Sequence, residues 1–252
     1  MGHIKLFENF EVVEPIIYGH PLNDKEINFL KGYNVLCPEF ILKDDNYYYI
    51  FDHRCENIKD VPLTYIHGVC SKYNIKNYTV NDDYSIDVDG DIYMGNKGGL
   101  SKIPLKFSSV SGHFLCAHNQ LETLEGSPEY VRGSFVCSYN KLTTLEGGPK
   151  RVGSGFNCSN NQLTTLEGSP EYVSRGFGCS FNQLTTLVGG PLRVGKDFDC
   201  RNNKLTTLMG APEYVGGDII CYENPLVSTR YKGNPSRLGG GRIHYPKILS
   251  NR

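Results

Sequence analysis

Six cysteines stand in one arithmetic series: Cys116, Cys137, Cys158, Cys179, Cys200 and Cys221 are each 21 residues apart. Other residues keep the same step. An Asn follows each Cys by three (Asn119 to Asn224) and a Leu by five (Leu121 to Leu226). A second Leu follows by eight (Leu124 to Leu208), then Pro128 to Pro212 and Val131 to Val215. An aromatic precedes each Cys by two, from Phe114 to Phe198, and Ile219 takes its place at the end. A fixed period held over five copies restricts the chain to a repeat architecture, in which each unit contacts only its neighbours.

Each unit reads Val-x3-Phe-x-Cys-x2-Asn-x-Leu-x2-Leu-x-Gly-x-Pro. Phe and Cys two apart point to one face of a short strand, because strand side chains alternate with period two. The Asn turns the chain, and its amide can satisfy backbone groups that the bend leaves unpaired. The two Leu fill the interior, and Gly and Pro then send an irregular segment back to the next Val.

Magnitudes make stacking obligatory. One unit offers about five apolar side chains at ~1.5–3 kcal/mol each, against ~1–2 kcal/mol per residue for ordering its backbone. Stacked parallel strands lie ~4.8 Å apart, so the cysteines form a file of buried thiols. A straight file offers a metal no converging ligands. A disulfide needs Cβ atoms ~3.5–4.5 Å apart, closer than in-register strands place them. Cys is therefore read as a small hydrophobe filling a narrow core, and the odd total of nine disfavours a closed disulfide framework.

The array frays at both ends. Val88-Asp-Gly-Asp-Ile-Tyr-Met94 matches Val215-Gly-Gly-Asp-Ile-Ile-Cys221, so Met94 takes the Cys position of a degenerate first unit continued by Leu100, Ile103 and Val110. Upstream, Asn23-Asp-Lys-Glu26 is a capping box opening a helix that stops at Gly32. The stretch PEFILKDDNYYYIFDH reads as a hairpin, and Asp60 to Tyr73 as a helix with an early Pro. The expected fold class is α+β, in three parts. An N-terminal α+β capping segment (1–85) precedes a leucine-rich-repeat-like solenoid (86–226) with a single parallel β-sheet and an irregular convex side. A basic C-terminal cap or tail (227–252) follows.

The units resemble the leucine-rich repeat, with Phe and Cys at inward strand positions and Asn at the ladder position. The stretch from Cys70 to Cys116, followed by NxLTTLEGxPxxV units, is similar to leucine-rich-repeat-like proteins encoded by large tailed bacteriophages. That resemblance implies protein recognition through the concave sheet face, in a phage-infected bacterial cytoplasm or within a virion.

The inward positions are uniform while those between them vary, as a recognition surface requires. Tyr139, Asn157, Ser159, Phe181, Asp199, Arg201 and Tyr222 are the candidate binding residues on that face. The expected partner is a host or phage protein. A structural or packaged phage component without a dedicated ligand is the alternative. A second alternative is nucleic-acid or nucleotide binding through the basic tail, by Arg230, Lys232, Arg237 and Arg242.

Charge and hydropathy narrow the classes further. With 26 Lys plus Arg against 27 Asp plus Glu, the chain is no globally basic coat for nucleic acid or membrane. No run approaches the ~18 apolar residues of a membrane span. Glu8, Glu11 and Glu14 interrupt the opening apolar stretch, so no secretory signal is expected. No cofactor or enzymatic activity is expected. Cys37, Cys55, His67 and Cys70 have the residue types of a zinc site, but their spacing matches no common finger.

Overall fold

The computed structural model describes residues 40–43, 46–49, 61–96, 99–227 and 237–245. The chain divides into two compact units, Met1–Tyr65 and Ile66–Arg252. In the first, strands Phe40–Lys43 and Asn46–Tyr49 pair antiparallel with Lys43 opposite Asn46, the hairpin that the alternation predicts. The capping box at Asn23 and the helix to Gly32 lie outside the described residues.

The second unit is a β-solenoid. The helix Val61–Lys72 runs into it, burying Ile66, Val69 and Cys70. Strand Tyr78–Val80 then pairs antiparallel with Ile86–Val88, the first strand of the coil. From there every ladder is parallel, and each coil contributes two very short strands to two sheets instead of the expected one. In the Phe sheet, eight strands run in register from Ile92–Tyr93 through Phe114–Leu115 and Phe135–Val136 to Ile243–His244. In the Val sheet, nine strands run from Tyr78–Val80 to Arg237–Leu238. The extra sheet arises because Val131 and its equivalents face inward just before a tight corner, and the chain re-enters extended geometry at Phe135.

The interior is built from the conserved step. Val131, Phe135, Cys137, Leu142 and Leu145 are fully buried, and their counterparts through Cys221 are buried too, while Leu226 at the end of the series is partly exposed. The rings of Phe114, Phe135, Phe156, Phe177 and Phe198 stack at centroid separations of 5.2–5.6 Å, nearly parallel. Such pairs add ~0.5–1.5 kcal/mol each beyond their burial. The six cysteines of the series are buried as free thiols. Burial pushes Cys116 up to about 12 and the next four thiols well above their ordinary value.

The Asn file ties coil to coil. Asn140 Nδ2 donates to the carbonyl oxygens of Cys137, at 2.9 Å, and of Cys116 one coil earlier, at 3.1 Å. Its Oδ1 accepts the amide of Leu121 at 3.0 Å. Asn161, Asn182, Asn203 and Asn224 repeat the pattern.

The C-terminal Gly-rich stretch continues the coil. Arg237–Leu238 and Ile243–His244 add a rung to both sheets. A Cβ at Gly241 would overlap the carbonyl of Gly217, so the close approach of two coils requires glycine there. No described helix is long and apolar enough to cross a membrane.

Candidate recognition face

Strand alternation turns one residue per coil outward from the Phe sheet, between the buried Phe and Cys: Leu115, Val136, Asn157, Gly178, Asp199 and Ile220. A shallow open trough of about 390 Å³ lies across the middle rungs of this face. Gly155, Gly176 and Gly178 form its floor, with Asn157 beside them. Val136 and Ile220 border it, and Asp197 and Asp199 supply carboxylates.

These three glycines differ from those at the corners. A Cβ at Gly153 or Gly195 would collide with the carbonyl of the preceding coil. At Gly155, Gly176 and Gly178 the nearest atoms would lie at 3.5, 3.4 and 3.3 Å, and none has a positive φ. The backbone therefore does not demand glycine at these positions. Two of them even interrupt a ladder. At the residue before each Phe-sheet strand, the side chains of Asp91, His113, Ser134, Asp197 and Asp218 each accept an amide one coil further on. Gly155 and Gly176 occupy the same position in the middle coils and have no side chain to do so.

At the far end, Arg201 Nε stands 3.2 Å from Asp199 Oδ2, and its guanidinium lies over the Tyr222 ring, donating to the Tyr222 hydroxyl. Burial raises the Asp199 carboxyl above its usual range, opposed by the hydrogen bond from the Arg201 amide and by the Arg201 charge. These three candidates form one cluster.

The other candidates lie apart. Ser159 is only 8% exposed, and its Oγ accepts from Ser180 Oγ at 3.0 Å. It is buried with its file mates Ser138 and Ser180 beneath the outward face, where a Cβ at Gly178 would stand 3.3 Å from its Oγ. Tyr139 and Phe181 are 50% and 48% exposed, on the edge where the chain bends into the Asn turn. Both adopt left-handed backbone, φ 56° and 54°, as do His118, Asn160, Asn202 and Glu223 in the same file. His118 and Tyr139 stack at 4.3 Å.

Of the basic tail residues, Arg230 and Lys232 lie outside the described residues. Arg237 sits in the last strand of the Val sheet. Arg242 is exposed beside the last Phe-sheet strand, its amide donating to Asp218 Oδ1 at 2.8 Å. Cys37 and Cys55 also lie outside the described residues, while His67 shares a hydrogen bond with the Tyr78 hydroxyl. Among the described residues, no three His, Cys, Asp or Glu side chains gather as a metal ion would need.

A feature of the Val sheet escapes a reading at the 21-residue period. Its outward position alternates between two residue types on successive rungs, Tyr130, Arg151, Tyr172, Arg193 and Tyr214, and Arg237 follows in the backbone register. The units thus pair as PEYV followed by PKRV or PLRV, a signal visible only at twice the period. Comparison of the chain with protein-family models, curated proteins and solved structures finds no match.

Proposed function

We propose that this chain is a non-catalytic recognition module that seats a protein partner on the outward face of the Phe sheet. One observation carries the reading: glycines at 155, 176 and 178 hollow a trough that the backbone does not require, at the expense of ladder hydrogen bonds on two rungs. A projecting side chain of the partner fills the trough, and the Asp197 carboxylate favours a cationic one. The surrounding variation, from Val136 through Asn157 to Ile220 over an invariant interior, is the pattern of a scaffold carrying a specific surface. From the resemblance of the 21-residue units to phage-encoded leucine-rich-repeat-like proteins, we infer a host or phage protein as partner. The inferred setting is an infected bacterial cytoplasm or a virion.

Affinity capture from infected-cell lysate with wild-type protein and with Gly178→Leu tests the proposal. The substitution fills the trough, its Cβ meeting side-chain atoms only, Ser159 Oγ at 3.3 Å and Asn157 Oδ1 at 3.4 Å. A protein retained by the wild type and lost on Gly178→Leu, at an unchanged melting temperature, supports recognition. Identical recoveries, or none above background, favour a structural or packaged component instead.

A further inference from the structure

The geometry points to a second binding face, on the Val sheet, that takes single-stranded nucleic acid along the alternating Tyr and Arg file. Tyr130 and Tyr172 are 44% and 51% exposed although the Val beside each is fully buried, so their rings contribute little to the core. Rungs ~4.8 Å apart set successive tyrosines ~9.6 Å from one another with an arginine position between them. Stacking across one rung is already realised: the Arg193 guanidinium lies 5.0 Å from the centroid of the Tyr214 ring.

Charges of both signs lie on this face: Asp87 and Asp89 stand beside Tyr130 and Arg132, and the exposed Glu171 precedes Tyr172. Arg132, Arg151 and Arg193 stand in or beside the strands, with Arg175 and Lys196 at the adjoining corner, and none has a carboxylate partner among the described residues. The neighbouring Glu129 is held by Lys150 at 2.8 Å. An exposed cation without an ion pair adds little to the fold, whereas an anionic polymer meets several at once. Guanidinium groups bind phosphate oxygens as a planar fork. Exposed tyrosines are platforms on which bases stack without sequence preference. Cations interleaved with flat rings along a straight file suit a chain that itself carries phosphates and flat rings. A polyanion lacking rings would leave the tyrosines without a role.

The file is distinct from the trough of the Phe sheet. Fluorescence anisotropy of the full chain with a labelled oligothymidylate, across a salt series, tests the assignment. Wild-type binding should weaken with salt. The variant Tyr130→Ala/Tyr172→Ala should lose about tenfold or more in affinity, and Tyr130→Phe/Tyr172→Phe should retain it. Arg151→Ala/Arg193→Ala should lower the slope of log affinity against log salt by ~1.4, as expected for two fewer phosphate contacts on a single strand. All are surface substitutions, and circular-dichroism melting confirms that each variant is folded. Three results would each overturn the inference. One is no binding at low salt. Another is binding that survives loss of the tyrosines and is matched by inorganic polyphosphate, which would mark a ring-indifferent anion surface. The third is binding abolished by Arg230→Ala/Lys232→Ala while both file variants behave as wild type.

Discussion

Asn161 Nδ2 donates to the carbonyl oxygen of Cys137, 24 residues earlier, at 3.1 Å. The same carbonyl accepts from Asn140 at 2.9 Å, and each Cys carbonyl from Cys116 to Cys200 is likewise shared between two asparagines. The Leu142 amide depends on Asn161 Oδ1 alone among the hydrogen bonds described for it, at 3.0 Å. The stack is thus stitched by side chains where the β-ladders end.

Replacing Asn161 with Leu should therefore destabilise by about 2–3 kcal/mol, mostly through the buried Leu142 amide left without a partner. Urea denaturation of the variant measures this. A loss under about 0.5 kcal/mol would mean that the file is decorative.

The left-handed file predicts a gain. Phe181 holds φ 54° while half-exposed, a conformation that Asn tolerates better than an aromatic. Phe181→Asn should raise stability by about 0.5–1 kcal/mol, and the β-branched Phe181→Ile should lower it by at least ~1 kcal/mol. Thermal melts that rank the two variants in the opposite order would contradict the backbone assignment.

Ser159 should behave as a core residue. Ser159→Ala removes the acceptor of the buried Ser180 hydroxyl and should cost ~1 kcal/mol. Ser159→Leu overpacks the same site and should cost ~1–3 kcal/mol. Equal denaturation midpoints for Ser159→Leu and the wild type would mean that its neighbours do not enclose the side chain.

The thiol file gives the stability a pH dependence of definite sign. Burial raises Cys116 from 9.0 to about 12, and the next four thiols shift the same way. Above pH ~9 the unfolded chain releases thiol protons that the folded chain keeps, so stability falls as pH rises, by ~1.4 kcal/mol per unit for each thiol. Below that pH the contribution is fully present. Cys158→Ala should reduce the slope between pH 9 and 10.5 by one thiol's share. The six core thiols should also resist alkylation at pH 8 until denaturant is added.

Much of the interior could be read from the sequence because its residues recur at one period. Phe135, Cys137, Leu142 and Leu145 face inward as their spacing requires, and Asn140 bonds as its position after the strand implies. The second sheet was hidden because its strands are only two residues long, Tyr130–Val131 and its equivalents, too short for alternation to register. The burial of Ser159 is not legible in alternation, which gives the face a side chain is on and not whether its neighbours cover it. The trough was illegible for a different reason. Gly153 and Gly155 look alike in sequence, and only the distance to the neighbouring coil separates an obligatory glycine from a dispensable one. Arg201 and Tyr222 meet across 21 residues, as the period predicts, whereas the pairing of Tyr with Arg on the Val sheet requires comparing alternate units.

The reversed strand Tyr78–Val80 has a consequence for how such molecules change size. A parallel stack has no intrinsic limit, but a strand of opposite direction cannot be followed by another coil in the same register, so that end is fixed. Every lateral contact beyond it spans about one period, and excising or duplicating a single unit would re-form the same contacts around the join. The length of such a stack is then free to change in whole-coil increments, away from the founding end, with the interior unaware of the difference.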